Sequence, residues 1–574
     1  MADERQPGDA ADEFDEYQLT DSDEATEIET FVEDDPAARA SRHLDALHAA
    51  VSDVDETEER PQMPLRWVEL LGVFSLVVLC DLTIYRGGGF AGYALLFSAG
   101  PMMLWMSSHR RCGGPTFWFV SAMLAALACK LAWCGSVPLV LIGFALVIAF
   151  SMAIAGYRPY VLEAFFFASR TLYSGYVAIV DYGRRVNSLG PVMPKSSWIS
   201  VVLPVLAFLV FGWIFILANP DLSNWFGEGI GRFFDALQNW VVDFSPDPLE
   251  MGFWLVVVWV VGGLVRPTID HAFATSSSNG SQQKVNAPAT DAFLYAAFRN
   301  TLVTVIALFA IYLVFEFKTL WFRRFEPGFY YSGYAHEGAA WLTAALALAT
   351  VLLSLVFRGS ILRDPRIGSL RRLAWLWSIE NMILAAAVFN RLFIYIGFNG
   401  MSRMRIVGLY GMAAVAVGFL LVVWKIVHNR QFLWLVRRHL WTLAIAIYLL
   451  ALTPMDTIVV GYNVRRILAG DPAPSVQISV HPINSEGVLL LAPLLECDDE
   501  IIREGVRALM AEQQLEIESK ATDDATLGWT AYQFADQAAL KGLRRDSGRW
   551  GRYTEVDRRQ HALDRFHEYA YQWY

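Results

Sequence analysis

PTFWFVSAMLAALACKLAWCGSVPLVLIGFALVIAFSMAIAG, residues 115–156, carries a single charged side chain, Lys130, along its whole length. It is interrupted only at Gly135-Ser136, and each half approaches the roughly 20 apolar residues that a helix needs to cross a bilayer. Two spans joined by a tight turn are the natural reading. The same pattern recurs on both sides, at 66–85, 88–107, 198–218, 250–266, 299–318, 339–357, 376–397, 404–426 and 438–461. The expected fold is therefore all-α: a polytopic bundle of about 11 transmembrane helices. Composition agrees, because charged residues make up 18% of the chain against about 25% in soluble domains.

Charge divides the chain into three parts. Residues 1–60 hold 21 acidic and 4 basic side chains, with too few apolar groups to offset the entropy of folding. Residues 1–62 are read as a disordered acidic tail with no secretory signal. One short amphipathic helix is expected around Leu44, Leu47 and Val51. The plainest role is a solvated tail; the sharper one is docking to a basic protein partner. Residues 63–461 form the membrane domain, with a flexible loop at 271–292 (HAFATSSSNGSQQKVNAPATDA) dividing the spans. Residues 462–574 are long enough for a small helical extramembrane domain. There Asp498 and Asp499 precede a helix with Ile502, Val506 and Leu509 on one face, and the chain closes on the aromatic RFHEYAYQWY. Segments 161–185 and 221–243 are amphipathic, and read as interfacial rather than spanning.

Basic residues alternate between loops. Arg110 and Arg111, Arg184 and Arg185, the cluster from Arg358 to Arg372, and Arg430, Arg437 and Arg438 all fall on the side of the N-terminus. The positive-inside rule then places the head in the cytoplasm and the tail on the far side.

Catalytic signatures are absent from the sequence. It has no GxxxxGK[ST] loop, no GxSxG elbow and no HExxH, and its five cysteines form no CxxC. Neither a metal nor a cofactor is expected, nor is nucleic acid a partner. The lipid bilayer is. What chemistry there is lies in the polar residues within spans, each expensive unless paired or hydrated. Glu380, Asn381, Asn390 and Arg391 share one span, and Glu380 and Arg391, eleven residues apart, lie on one face about 16 Å apart along the axis. Tyr395 continues that stripe. Arg391 is expected to pair with Asp456, at matching depth on the last span, and Asp81 with Lys130. With Arg403, Arg405, Asn463 and Arg465 these outline a candidate site for an anion or an anionic lipid headgroup.

Three motifs stand in order here: YAHEG at 334–338, RLFIYIGFNGMSRMR at 391–405 and DTIVVGYNVRR at 456–466. They resemble a family of bacterial multi-pass membrane proteins known as domain of unknown function 4173, related to the 4153 group. Tyr334, Gly338, Arg391, Tyr395, Arg405, Tyr462 and Asn463 match its pattern. Phe398–Ser402 departs from it. The resemblance covers about 290–510 and implies a bacterial inner (cytoplasmic) membrane protein without assigning an activity. Three functions remain open: a non-enzymatic protein in envelope sensing or scaffolding, a transporter or channel for an anionic or lipid-linked solute, and a membrane enzyme modifying envelope lipids or glycans.

Overall fold

A computed structural model describes residues 66–109, 113–188, 247–267, 292–321, 331–357, 365–428, 430 and 432–573. The expectations for the acidic head, the span at 198–218, the segment 221–243 and the loop 271–291 lie outside the described residues. Within them the chain is helical throughout, without a strand.

The membrane body is built from α1 (Trp67–Cys80, prolonged by a π-helical turn Asp81–Tyr85), α2 (Phe90–Ser107), α3 (Pro115–Cys134), α4 (Val137–Ile154), α5 (Val161–Ser188), α6 (Pro248–Val265), α7 (Ala292–Glu316), α8 (Tyr331–Val356), α9 (Ile367–Asn399), α10 (Arg403–Val427) and α11 (Phe432–Leu452). Nine described helices are long and apolar enough to cross a membrane, and Ala340–Val356 within α8 is a shorter apolar segment. The protein is a multi-pass membrane protein. The amphipathic α5 is not among the nine. Sequence chemistry sets several boundaries. Pro115 and Pro248 open α3 and α6, where a missing N–H leaves no bond unmade. Ser402 caps α10 by accepting from the Arg405 amide.

One boundary differs from expectation. The segment read as a last span at 438–461 is two helices, α11 ending at Leu452 and α12 (Met455–Leu468) beginning after Pro454. Proline disfavours helical geometry in the residue before it, so the chain turns at Thr453-Pro454. Asp456 therefore opens a separate helix, α12, that is not among the span-length helices.

Beyond α12 come α13 (Ser475–Val480), α14 (Ser485–Val488), a 3-10 stretch Leu489–Glu496, α15 (Glu500–Leu527), α16 (Phe534–Asp546) and α17 (Val556–Tyr571). As read from the sequence, Asp499 caps α15 through the Ile501 and Ile502 amides at 2.9 and 3.1 Å. These helices share a core that includes Val488, Leu491, Leu494, Val506, Leu543 and Phe566, all almost wholly buried. In water each such side chain contributes about 1.5–3 kcal/mol. Between spans in lipid the hydrophobic drive vanishes and close packing replaces it. Close packing also joins α5 to α6: a Cβ on Gly175 or Gly263 would stand 2.1 Å from the backbone carbonyl oxygen of Trp259 or Thr171 on the facing helix.

Candidate functional site

The polar side chains inside the membrane body gather into knots, each tying helices together. At the end of the bundle where α1 begins, Glu69 is fully buried and pairs with Arg266 at the end of α6, while the Tyr182 hydroxyl of α5 donates to it at 2.7 Å. At the opposite end, Asp81 accepts from Trp254 Nε1 at 2.8 Å and pairs with Arg86 at 3.0 Å, and Arg86 donates to Glu250 at 2.6 Å. Asp81 thus meets a cation from its own helix end rather than Lys130. Lys130 instead reaches out of the bundle to Glu486 of the tail at 2.6 Å.

Arg391 makes the next knot, and its partner is not Asp456. Glu316, fully buried at the end of α7, receives Arg391 Nε at 2.7 Å and Nη2 at 2.5 Å. Tyr312, one turn earlier, donates to Glu316 at 2.9 Å. Gly338 of α8 leaves the space for this: a Cβ there would stand 2.0 Å from Arg391 Nη1. The Tyr-x3-Glu spacing of α7 was visible in the sequence, but nothing in an apolar run marks which face it presents.

Asp456 belongs to a knot at the junction of bundle and tail. Its carboxylate takes both arms of Arg403, with Arg403 Nε donating at 2.5 Å, and accepts the Asn484 amide at 2.6 Å. Its physical level, set by the turn at Pro454, is that of the first residue of α10 and not that of Arg391. Asn463 is also fully buried there. Its side chain accepts from the Met401 amide at 2.7 Å and donates to the Met401 carbonyl at 2.8 Å, clasping the turn between α9 and α10. That turn passes through Gly400 at φ +82°, where a Cβ would strike Asn463 and Pro474. Arg405 donates to the Gly400 carbonyl and lays its guanidinium 3.9 Å from the centre of the Tyr395 ring. Arg466 donates to the Ile396 carbonyl at 3.0 Å, and Arg465, exposed, bonds back to Gly461 on its own helix.

The proposed anion cluster is therefore not one site. Arg391 and Arg403 each hold a carboxylate, and Arg405 holds a carbonyl and a ring. The motif residues do come together, as a joint: Gly338 and Arg391 seat α7 against α8 and α9, while Tyr395, Arg405 and Asn463 seat the tail on the α9–α10 turn. Tyr462 packs half-buried against the apolar core that includes Leu392 and Ile396; the Tyr334 side chain lies outside the description. A family model described as Domain of unknown function (DUF4153) matches residues 91–481, more than half of the chain. The chain belongs to the DUF4153 family. This is the 4153 group to which the motifs relate it; the match does not carry the 4173 name. The DUF4153 match starts at α2 and ends just after α13, so it takes in the joint and the first part of the tail. No curated protein and no solved structure matches the chain.

The tail docks a second time, on the first half of the bundle. Gln533 accepts from the Gly135 amide at 2.7 Å and donates to the Leu131 carbonyl at 3.3 Å. Thr530 lies against Gly89 and Gly92 so closely that a Cβ at Gly89 would stand 2.2 Å from the Thr530 carbonyl oxygen. Within the final aromatic stretch, the Trp573 carbonyl accepts from Asn399 at 2.7 Å.

Deeper in the membrane body, Glu380 and Asn381 are buried on α9. Glu380 Oε2, Asn381 Oδ1 and the Trp377 indole N–H have no hydrogen-bond partner among the described residues, and all three lie within about one turn. Asn390 is half-buried farther along the same helix.

Proposed function

We propose that the protein is a non-enzymatic scaffold of a bacterial inner membrane, with its acidic head in the cytoplasm and its helical tail displayed as a rigid platform on the far side. The observation that supports this is the double docking of the tail. Arg403–Asp456, Asn463–Met401 and Asn399–Trp573 fix it to the second half of the bundle. Gln533–Gly135 and Lys130–Glu486 fix it to the first half. A mobile tail would suit a tethered catalyst or a substrate-capturing module. A tail clamped at both ends of its core suits the holding of other molecules at fixed geometry. The basic loops on the head side support the orientation, and the acidic head provides a surface for a basic protein.

The second reading is transport, and the cluster of unpartnered polar atoms at Trp377, Glu380 and Asn381 favours it. Reconstitution in proteoliposomes separates the two. The scaffold reading expects no protein-dependent flux of inorganic phosphate, and expects Glu380→Gln to leave the vesicles unchanged. Saturable uptake that Glu380→Gln abolishes would replace scaffold by transporter.

A further inference from the structure

The docked tail contains a cavity of about 170 Å³. Asp524, Trp529, Tyr532, Asp536 and Gln537 line it, with Leu540 on its apolar side. Three features of this cavity bear on what it holds. The first is depth. Gln533, also in its wall, bonds directly to Leu131 and Gly135 at the end of α3, and Thr530 rests on the start of α2. A cavity built on span ends lies in the headgroup layer, where the exposed Trp529, Tyr532 and Phe534 are at home. The second is charge. Asp536 and Asp524 supply two carboxylates, and the neighbouring ammonium of Lys520, 2.6 Å from Asp536, supplies one cation; an excess negative charge remains. The third is chemistry. Two aromatic rings and an acid favour an organic cation, while the Asp524 carboxylate and the Gln537 carbonyl are acceptors that match the three N–H donors of a primary ammonium.

We infer that this cavity binds the primary ammonium headgroup of an ethanolamine phospholipid drawn from the surrounding leaflet. The phosphate and acyl chains stay outside, since the acids that line the cavity repel a phosphate. The bound lipid would join the tail to the bilayer itself, in addition to the spans.

The test uses the full-length protein in detergent, with lipid binding counted by native mass spectrometry. Short-chain phosphatidylethanolamine, phosphatidylcholine and free ethanolamine serve as probes, and Asp524→Asn and Trp529→Leu as variants. Both positions are at the rim of the tail, and a far-ultraviolet spectrum and melting curve establish that each variant folds. The expected result is a preference for the ethanolamine lipid over the choline lipid in the wild type. Asp524→Asn should lose that preference by about fivefold to tenfold and Trp529→Leu should weaken the binding of both lipids, while Glu496→Gln, on the exposed Glu496–Arg549 pair, changes neither. Equal binding of both lipids, or a preference that survives Asp524→Asn, overturns the proposal. Binding of free ethanolamine with the lipids excluded would overturn it in favour of a soluble amine.

Discussion

Arg391 shows how a single buried charge is held in an apolar bundle. Two hydrogen bonds to Glu316, the Tyr312 hydroxyl and the space left by Gly338 all serve it. Breaking a buried ion pair from one side typically costs about 3–5 kcal/mol. Arg391→Ala and Glu316→Ala should each lower stability by that order, while the double variant should lose much less than their sum. Arg391→Ala and Asp456→Ala should simply add. Unfolding in detergent measures both cycles, and coupling in the second would restore the pairing expected from sequence. His481 gives a pH-dependent test. Partial desolvation of the exposed ring, together with repulsion from Arg403 and Arg405, lowers its pKa below the ordinary histidine value. As the pH falls below about 6.5 the unfolded chain binds the proton before the folded chain does. The stability that neutral His481 contributes is complete above that value and is lost progressively as the pH falls toward the folded value. His481→Gln should flatten the melting temperature across this window; an unchanged acid slope would assign it to other groups. Some polar residues within spans, such as Glu380, Asn381 and Arg391, were legible in the sequence, but Glu316 was not singled out and Asp456 was read into a span. Which one met which was not legible, because Glu316 lies in an unremarkable apolar run and its partner is 75 residues away.

Helices were easier to read than their joints. Hydrophobic length found the nine described span-length helices, and the acid pair before Ile501 found the start of α15. There the Asp499 carboxylate also receives the Tyr569 hydroxyl of α17 at 2.6 Å. That hydrogen bond, followed by burial, pushes the Tyr569 pKa up to about 12. The error lay at Thr453-Pro454, where apolar composition continues through a turn that proline imposes. The motif DTIVVGYNVRR then appeared to end a span when it begins the tail, which moved Asp456 to the wrong level and Asn463 away from its role. Asn463 is the element-scale test. It is fully buried and satisfies both backbone groups of Met401. Removing it leaves those groups unpaired, at about 1–3 kcal/mol. Asn463→Ala should therefore destabilise by that amount, whereas Arg465→Ala, two residues on and exposed, should stay within about 0.5 kcal/mol. Equal effects in equilibrium unfolding would mean the clasp contributes nothing.

At the scale of the molecule, the described residues of the body form three apolar cores, one built chiefly from α1–α6 and two from α7–α11. Helix α11 crosses between them: Tyr448 donates to Met123 at 2.9 Å, Trp441 donates to Pro159 at 2.9 Å and Arg437 pairs with Glu163 at 2.5 Å. The tail bridges the same divide. Its sequence announced helices and an aromatic end but not a double dock, because Gln533, Thr530 and Lys130 carry no pattern that names a distant partner. Two predictions belong here. A reporter that works only outside the cytoplasm should be active when fused after Tyr574 and silent within 271–292; the reverse pattern would invert the protein. Deleting residues 1–62 should leave the melting temperature nearly unchanged, since so acidic a segment buries little apolar surface. A fall of many degrees would place that segment against the body.

The bridge also orders events in time. The chain emerges from the ribosome N-terminus first, and the roughly 120 residues that follow Pro454 take on the order of 6–24 s to make at about 5–20 residues per second. Within that interval the partners of the inserted groups arrive in order: Asp456 for Arg403 almost at once, then Glu486 for Lys130, then Gln533 for the Gly135 amide. The clasp of Asn399 on Trp573 can close only after the codon for Trp573 is read. The segment up to Trp573 thus acts as a latch, and a chain cut short before it would present its open junction to the proteases that survey the membrane surface.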